Sequence, residues 1–150
     1  MMEVRQVALY FRNKSLPGGK FSITHLKLQK LVYYAQAWSL AIEGEPIINS
    51  DLEAWLHGPV SRELYGEYRN YGSQEIPPVE DHELKFRIDD TDKKILDGVW
   101  ELYGEFDGKY LETLTHKESP WINAWDRGMN EIIELDDMEQ YYSGLLQGAN

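Results

Sequence analysis

The chain has 150 residues, 15 Lys+Arg against 26 Asp+Glu, a net charge of −11, 13% aromatic residues and no Cys. This excludes disulfides, thiol nucleophiles and Cys-based zinc sites, and it opposes broad binding to nucleic acid or anionic lipid. No apolar run approaches the ~20 residues of a membrane span, and the start, with Glu3, Arg5 and Arg12, lacks a signal-peptide core, so one cytoplasmic domain over 1–150 is expected.

In chain order, residues 2–14 read as a helix with Val4, Val7, Ala8 and Phe11 on one side, closed by Leu16-Pro17-Gly18-Gly19. The clearest helix spans about Thr24 to Glu43, capped by Ser22 or Thr24. Its apolar stripe is Leu28, Leu31, Val32, Ala35, Trp38, Ser39 and Ile42, which leaves Lys27, Lys30 and Tyr34 on a more polar face open to a partner or water. Residues 47–56 read equally as a short extended piece or a helical turn. His57-Gly58-Pro59-Val60 is expected to open the next helix, with Pro59 in its first turn, where the missing N–H costs nothing. Val60, Leu64, Tyr68 and Tyr71 form that helix's stripe, and Gly72 ends it.

Residues 73–92 are loop-like, and within them the alternation of Leu84, Phe86 and Ile88 with Lys85 and Arg87 marks the best strand candidate. Asp90, Thr91 or Asp92 caps a helix carrying Ile95, Leu96, Val99, Leu102 and Tyr103. Tyr110, Leu111 and Leu114 suggest a short helix, and Ser119-Pro120 reads as a cap followed by Pro at the first position of another, with Trp121, Ile122 and Trp125 behind it. Ile132 and Ile133 suggest a short strand. Asp136 and Asp137 start a last helix holding Met138, Tyr141, Tyr142, Leu145 and Leu146. The fold class is therefore mainly α: one compact domain of six or seven helices with two or three short β-strands.

Tests for chemistry find little. The four histidines are far apart, with no H-x-x-x-H pair, so no metal site or cofactor is expected. Glu80-Asp81-His82-Glu83 reads as a solvated acidic loop, and no Ser sits in a G-x-S-x-G setting. His116 and Glu118 have the residue types for a base and an acid. The alternative is structural, with His116 bonding backbone groups left free where two helices meet. Lys14, Lys20, Lys27 and Lys30 leave room for a local basic patch against the acidic whole.

Three stretches together resemble a known family. They are Leu26-Lys27-Leu28-Gln29-Lys30-Leu31-Val32-Tyr33-Tyr34-Ala35-Gln36-Ala37, then Glu53-Ala54-Trp55-Leu56-His57-Gly58-Pro59-Val60, then Leu114-Thr115-His116-Lys117-Glu118-Ser119-Pro120-Trp121. Their order and composition resemble the SocA-like, or Panacea, antitoxin domain of bacteria and their phages, also described as a phage-associated GepA-type protein. The resemblance covers roughly residues 3–146, and it departs at His57, where the family pattern has Tyr or Lys. It implies a helical, non-catalytic domain that neutralises a protein toxin encoded by a neighbouring gene. An alternative role is a proteolytic adaptor delivering the toxin to an ATP-dependent protease; a second is a small enzyme using His116 and Glu118.

On this reading the motif residues Lys27, Gln29, Lys30, Tyr33, Trp38, Trp55, Gly58, Pro59, His116 and Trp121 are mainly scaffold. The indoles of Trp38, Trp55 and Trp121 are expected as core anchors whose N–H groups find partners. Hot spots favour Trp, Tyr and Arg, so Tyr34, Arg62, Tyr65 and Arg69 are the candidate toxin contacts, all expected at the surface. The −11 charge either steers a basic toxin or serves solubility alone.

Overall fold

The computed structural model describes residues 1–148. Among the described residues there are seven α-helices and one small antiparallel sheet: α1 (Val4–Lys14), α2 (His25–Glu43), β1 (Glu53–Trp55), β2 (Gly58–Val60), α3 (Arg62–Tyr68), α4 (Asp90–Tyr103), α5 (Gly108–Thr115), α6 (Ser119–Arg127) and α7 (Leu135–Gly148). Short 3-10 turns lie at Arg69–Tyr71 and Asp81–Glu83.

Helix α2 is the central element, packed against α1, α3, α4, α5, α7 and β2. Thr24 caps it by accepting from the Lys27 N–H, and Gly44, at φ 74°, closes it in the left-handed conformation that glycine tolerates best. The described residues share one hydrophobic core, in which Phe11, Ile23, Leu28, Leu31, Tyr33, Tyr34, Leu64, Leu96, Leu111 and Tyr142 are buried.

Several expectations are corrected. The polar side of α2 is not open: Lys27, Lys30 and Tyr34 are buried like Leu28, Leu31 and Val32, because the helix is enclosed on every side over residues 27–37. Ile42 instead lies outside the core, 51% exposed, as does Leu102 of α4 at 58%. Gly58-Pro59-Val60 does not begin a helix but forms β2, paired antiparallel to β1 with Glu53 opposite Val60 and Trp55 opposite Gly58. The helix starts later, with Ser61 as its cap. Leu84, Phe86 and Ile88 do alternate in burial with Lys85 and Arg87, but they form no strand. Asp89, one residue before the expected caps, precedes α4, and Glu118 precedes α6, which puts Pro120 second in the helix.

Residues 130–133 line the free edge of β1. The Ala54 N–H donates to Glu131 O, the Asn130 N–H to Ala54 O and the Ile133 N–H to Leu52 O, so β1 is paired on both sides. The Leu56-His57 turn between β1 and β2 is thereby presented from a fixed base.

Candidate functional site

The polar residues of α2 each secure a neighbouring segment. Lys27 Nζ donates to the carbonyls of Lys20 and Ser22, at 3.0 and 2.9 Å, and to Gly104 O at 2.6 Å. All three ammonium protons are thus engaged, and the last bond meets the carbonyl-rich end of α4, where a cation is favoured. Burial pushes this amine down to about 8, which leaves it largely protonated at neutral pH. Gln29 Oε1 accepts the Ser61 N–H at 2.9 Å while its Nε2 donates to Ser61 O, so one side chain pairs with both backbone groups of the α3 cap. Gln36 Oε1 accepts the N–H groups of Ile47 and Ile48.

Lys30 is different. Its Nζ is fully buried and has no hydrogen-bond partner among the described residues. It lies under Gly58, which Thr115 Oγ1 also approaches. Burial pushes the amine down to about 7, opposed by the Glu112 carboxylate. Between pH 7 and about 10 the unfolded chain keeps a proton that folded Lys30 releases, so stability rises with pH there, by at most about 1.4 kcal/mol per unit for this group. Lys30→Met is expected to remove that rise between pH 7 and 8 and to stabilise the fold at pH 6 by about 2–4 kcal/mol. Denaturant unfolding at pH 6, 7, 8 and 9 measures both.

Tyr33, Tyr34 and Glu118 meet at the centre. Glu118 Oε1 accepts from the Tyr34 hydroxyl at 2.6 Å and from the Tyr142 hydroxyl at 3.0 Å, and Tyr142 shares a further bond with Tyr33. Tyr34 also stacks on Tyr103, which accepts the Trp38 indole N–H. Burial raises the Glu118 carboxyl above the usual range, while the two hydroxyls pull it back. Burial likewise raises Tyr33, Tyr34 and Tyr142.

The expected backbone bond of His116 is made not to free helix ends but to Leu56, in the β1–β2 turn. The ring stacks on Trp121 at 4.0 Å, and Nε2 is buried with no partner among the described residues. Burial holds its imidazole below the usual range. His116 and Glu118 therefore occupy separate settings, one against an indole and one among tyrosines.

The exposed counterpart of this frame is the face formed by the β1–β2 turn and α3. Leu56 is 60% exposed and Tyr65 38%. Trp55, expected as a core anchor, lies outside the hydrophobic core and is held by three neighbours instead: its indole N–H donates to Glu53 Oε1 at 2.9 Å, the Tyr65 ring lies 4.8 Å away, and the Arg62 guanidinium sits 5.8 Å over its ring. Arg62 Nε also binds Glu53 Oε2 at 2.7 Å, so one carboxylate organises both partners. The Trp121 indole reaches Trp55 O, which ties α6 to the same strand. Beside this cluster is a groove of about 250 Å³ lined by His25, Leu26, Trp55, Leu56, His57 and Tyr65 among others.

Of the expected contact residues, Arg62, Tyr65 and Arg69 are exposed, and the structure brings Arg62 and Tyr65 together on Trp55. Tyr34 is corrected: it is fully buried, with its hydroxyl spent on Glu118. The expected basic patch also fails, since Lys14 pairs with Asp97, Lys20 with Glu105, and Lys27 and Lys30 are interior. Sequence reasoning missed Glu53 as the organiser and Leu56-His57 as an exposed turn. The available signal was the two-residue spacing between the short runs Glu53-Ala54-Trp55 and Gly58-Pro59-Val60, a hairpin spacing.

Comparison with known proteins yields a family model, described as antitoxin SocA-like, Panacea domain, that matches residues 28–122. Antitoxin SocA of Caulobacter vibrioides (strain NA1000 / CB15N) is 44% identical over 43 residues, a stretch that covers 29% of this chain and 23% of that protein. No solved structure matches. Because the family match runs from within α2 to within α6, over more than half of the sequence, the chain belongs to the SocA-like antitoxin family that carries the Panacea domain.

Proposed function

We propose that this protein is an antitoxin that binds a protein toxin encoded by a neighbouring gene and neutralises it by direct contact, without catalysis and without a cofactor. The observation that carries this reading is a division of labour. The motif residues Lys27, Gln29, Tyr33, Tyr34, Gln36 and Glu118 are used inside the frame, while an aromatic and Arg-bearing face is presented outside it. Hot spots are built from such residues, set rigidly before the partner arrives. On this reading Arg62, Tyr65, Leu56 and Arg69 touch the toxin, and the site of action is the cytoplasm. The −11 charge then speeds encounter with a basic toxin, an effect that weakens as salt rises.

Co-expression with the adjacent gene tests the proposal. The neighbour alone should arrest growth, this chain should restore it, and the two should co-purify. Tyr65→Ala and Arg62→Ala should each weaken the isolated complex by about 30-fold, near 2 kcal/mol, while leaving the thermal midpoint of the free protein nearly unchanged. A neighbour that is harmless alone counts against the reading. Rescue that vanishes in a strain lacking the ATP-dependent protease favours delivery of the toxin for degradation instead.

A further inference from the structure

We infer that the groove between α2, the segment 130–133 that pairs with β1 and the start of α7 receives a basic residue of the toxin, Lys or Arg, carried on an extended stretch of main chain. This rests on the binding role proposed above and adds a second contact to it, with a chemistry unlike that of the Trp55 face. The groove has a volume of about 280 Å³. Its base is preformed: the Ile133 N–H donates to Leu52 O at 2.8 Å, which fixes the segment beside β1 before any partner arrives.

One buried donor in its wall lacks an acceptor. Gln36 is 2% exposed, and its Oε1 accepts the Ile47 and Ile48 N–H groups at 2.9 and 3.1 Å, which assigns its other terminus as the amide nitrogen. That Nε2 donates to no atom of the described residues. Unlike Lys30 Nζ and His116 Nε2 it is not sealed in, so its N–H bonds open on the groove that Gln36 lines. A carbonyl oxygen placed there gains a hydrogen bond that the free protein leaves to water.

The remaining lining selects charge. Asp51, Glu134 and Asp136 border the same groove. Asp51 and Asp136 have no ion pair among the described residues, and Glu134 has Arg127 at 3.9 Å, whose Nη2 is already spent on Ile132 O. Ile132 and Leu135, 47% and 44% exposed, offer apolar surface to the aliphatic stem of a Lys or Arg. Acceptor, cation and stem come together in a basic residue of a peptide chain. A polyamine brings cations without the acceptor. A divalent ion is disfavoured, since the described residues hold no group of three His, Asp or Glu placed to bind one. A second copy of this chain would bring −11 against −11, and nucleic acid is repelled in the same way.

The test uses the free protein at low salt and three probes, followed by backbone and side-chain amide NMR: the blocked peptide acetyl-Gly-Arg-Gly-amide, its norleucine counterpart, which keeps the carbonyls and loses the charge, and agmatine, which keeps the guanidinium and loses the carbonyls. The arginine peptide should shift the Gln36 side-chain amide and the Ile132, Leu135 and Asp136 backbone amides saturably, in the millimolar range. The norleucine peptide and agmatine should each bind at least about threefold more weakly, and agmatine should leave the Gln36 side-chain amide unmoved. Asp51→Asn with Asp136→Asn, both exposed, should abolish the preference for arginine over norleucine and weaken the isolated toxin complex at least about fivefold. No shift at about 10 mM of the arginine peptide overturns the inference, as does equal binding of the norleucine peptide, an equal movement of the Gln36 amide by agmatine, or a toxin affinity unchanged by the double substitution. Retained toxin capture alongside a negative probe result rejects this contact and leaves the antitoxin reading intact, whereas a neighbour that is harmless alone rejects that reading without use of the probes.

Discussion

Replacing Gly58 with Ala is expected to destabilise the protein by about 3 kcal/mol or more. Two costs combine. Gly58 has φ +110°, a conformation that side-chain-bearing residues rarely adopt, which costs about 1–3 kcal/mol. Its new Cβ would also overlap Lys30 Cε and lie 3.0 Å from Nζ and 3.2 Å from Thr115 Oγ1, and overpacking of this kind costs a similar amount. The two terms separate in a double-mutant cycle. Lys30→Ala removes the clash and leaves the backbone strain, so the Gly58→Ala penalty should shrink by about 1 kcal/mol or more in that background. Denaturant unfolding of the four proteins measures it, and an unchanged penalty contradicts the packing described.

Glu118→Ala is expected to cost about 3–5 kcal/mol, because it leaves the Tyr34 and Tyr142 hydroxyls buried without their shared acceptor. Glu118→Gln keeps an acceptor and should cost less than half as much. The pH dependence supplies a second readout. Because the folded carboxyl titrates above its unfolded value, the folded chain holds the proton more tightly, and this group's contribution to stability falls as pH rises through the window above 4.5. Glu118→Gln should remove that part of the slope. The tyrosines act at the other end: with Tyr33, Tyr34 and Tyr142 raised, their stabilising share is complete below pH 10 and is lost above it. If Glu118→Ala and Glu118→Gln proved equally stable, the tyrosine network would carry no weight in the fold.

These two positions also show what was legible in the chain. Helical spacing located all seven helices, since an apolar repeat is visible without knowing what covers it. What spacing lacks is the partner across the core. Lys27, Lys30 and Tyr34 look like an open polar face because sequence displays polarity and hides satisfaction. Lys27 is interior because three carbonyls from the loop before α2 and the end of α4 converge on it. Tyr34 is interior because Glu118, 84 residues later, accepts its proton. Pro59 fits a helix start as well as an edge position in a strand, and only the pairing of Trp55 with Gly58 decides between them. Leu84, Phe86 and Ile88 carry a strand's alternation without a sheet edge to join.

The candidate surface was partly readable for the same reason. Arg62 and Tyr65 lie one helical turn apart and belong to one face. The carboxylate of Glu53 that joins Arg62 to Trp55 reaches them only through the hairpin. The first and third motif stretches build the frame, whereas the second, Glu53–Val60, supplies the hairpin that carries the candidate face.

Hydrogen exchange of this chain, free and in complex with the product of the adjacent gene, tests the central claim most directly. Added protection is expected over residues 53–72, covering β1, the Leu56-His57 turn, β2, α3 and the turn after it, with α2 slow to exchange in both states. Protection confined to α4 and α7, or a free protein in which α2 exchanges rapidly, would contradict it.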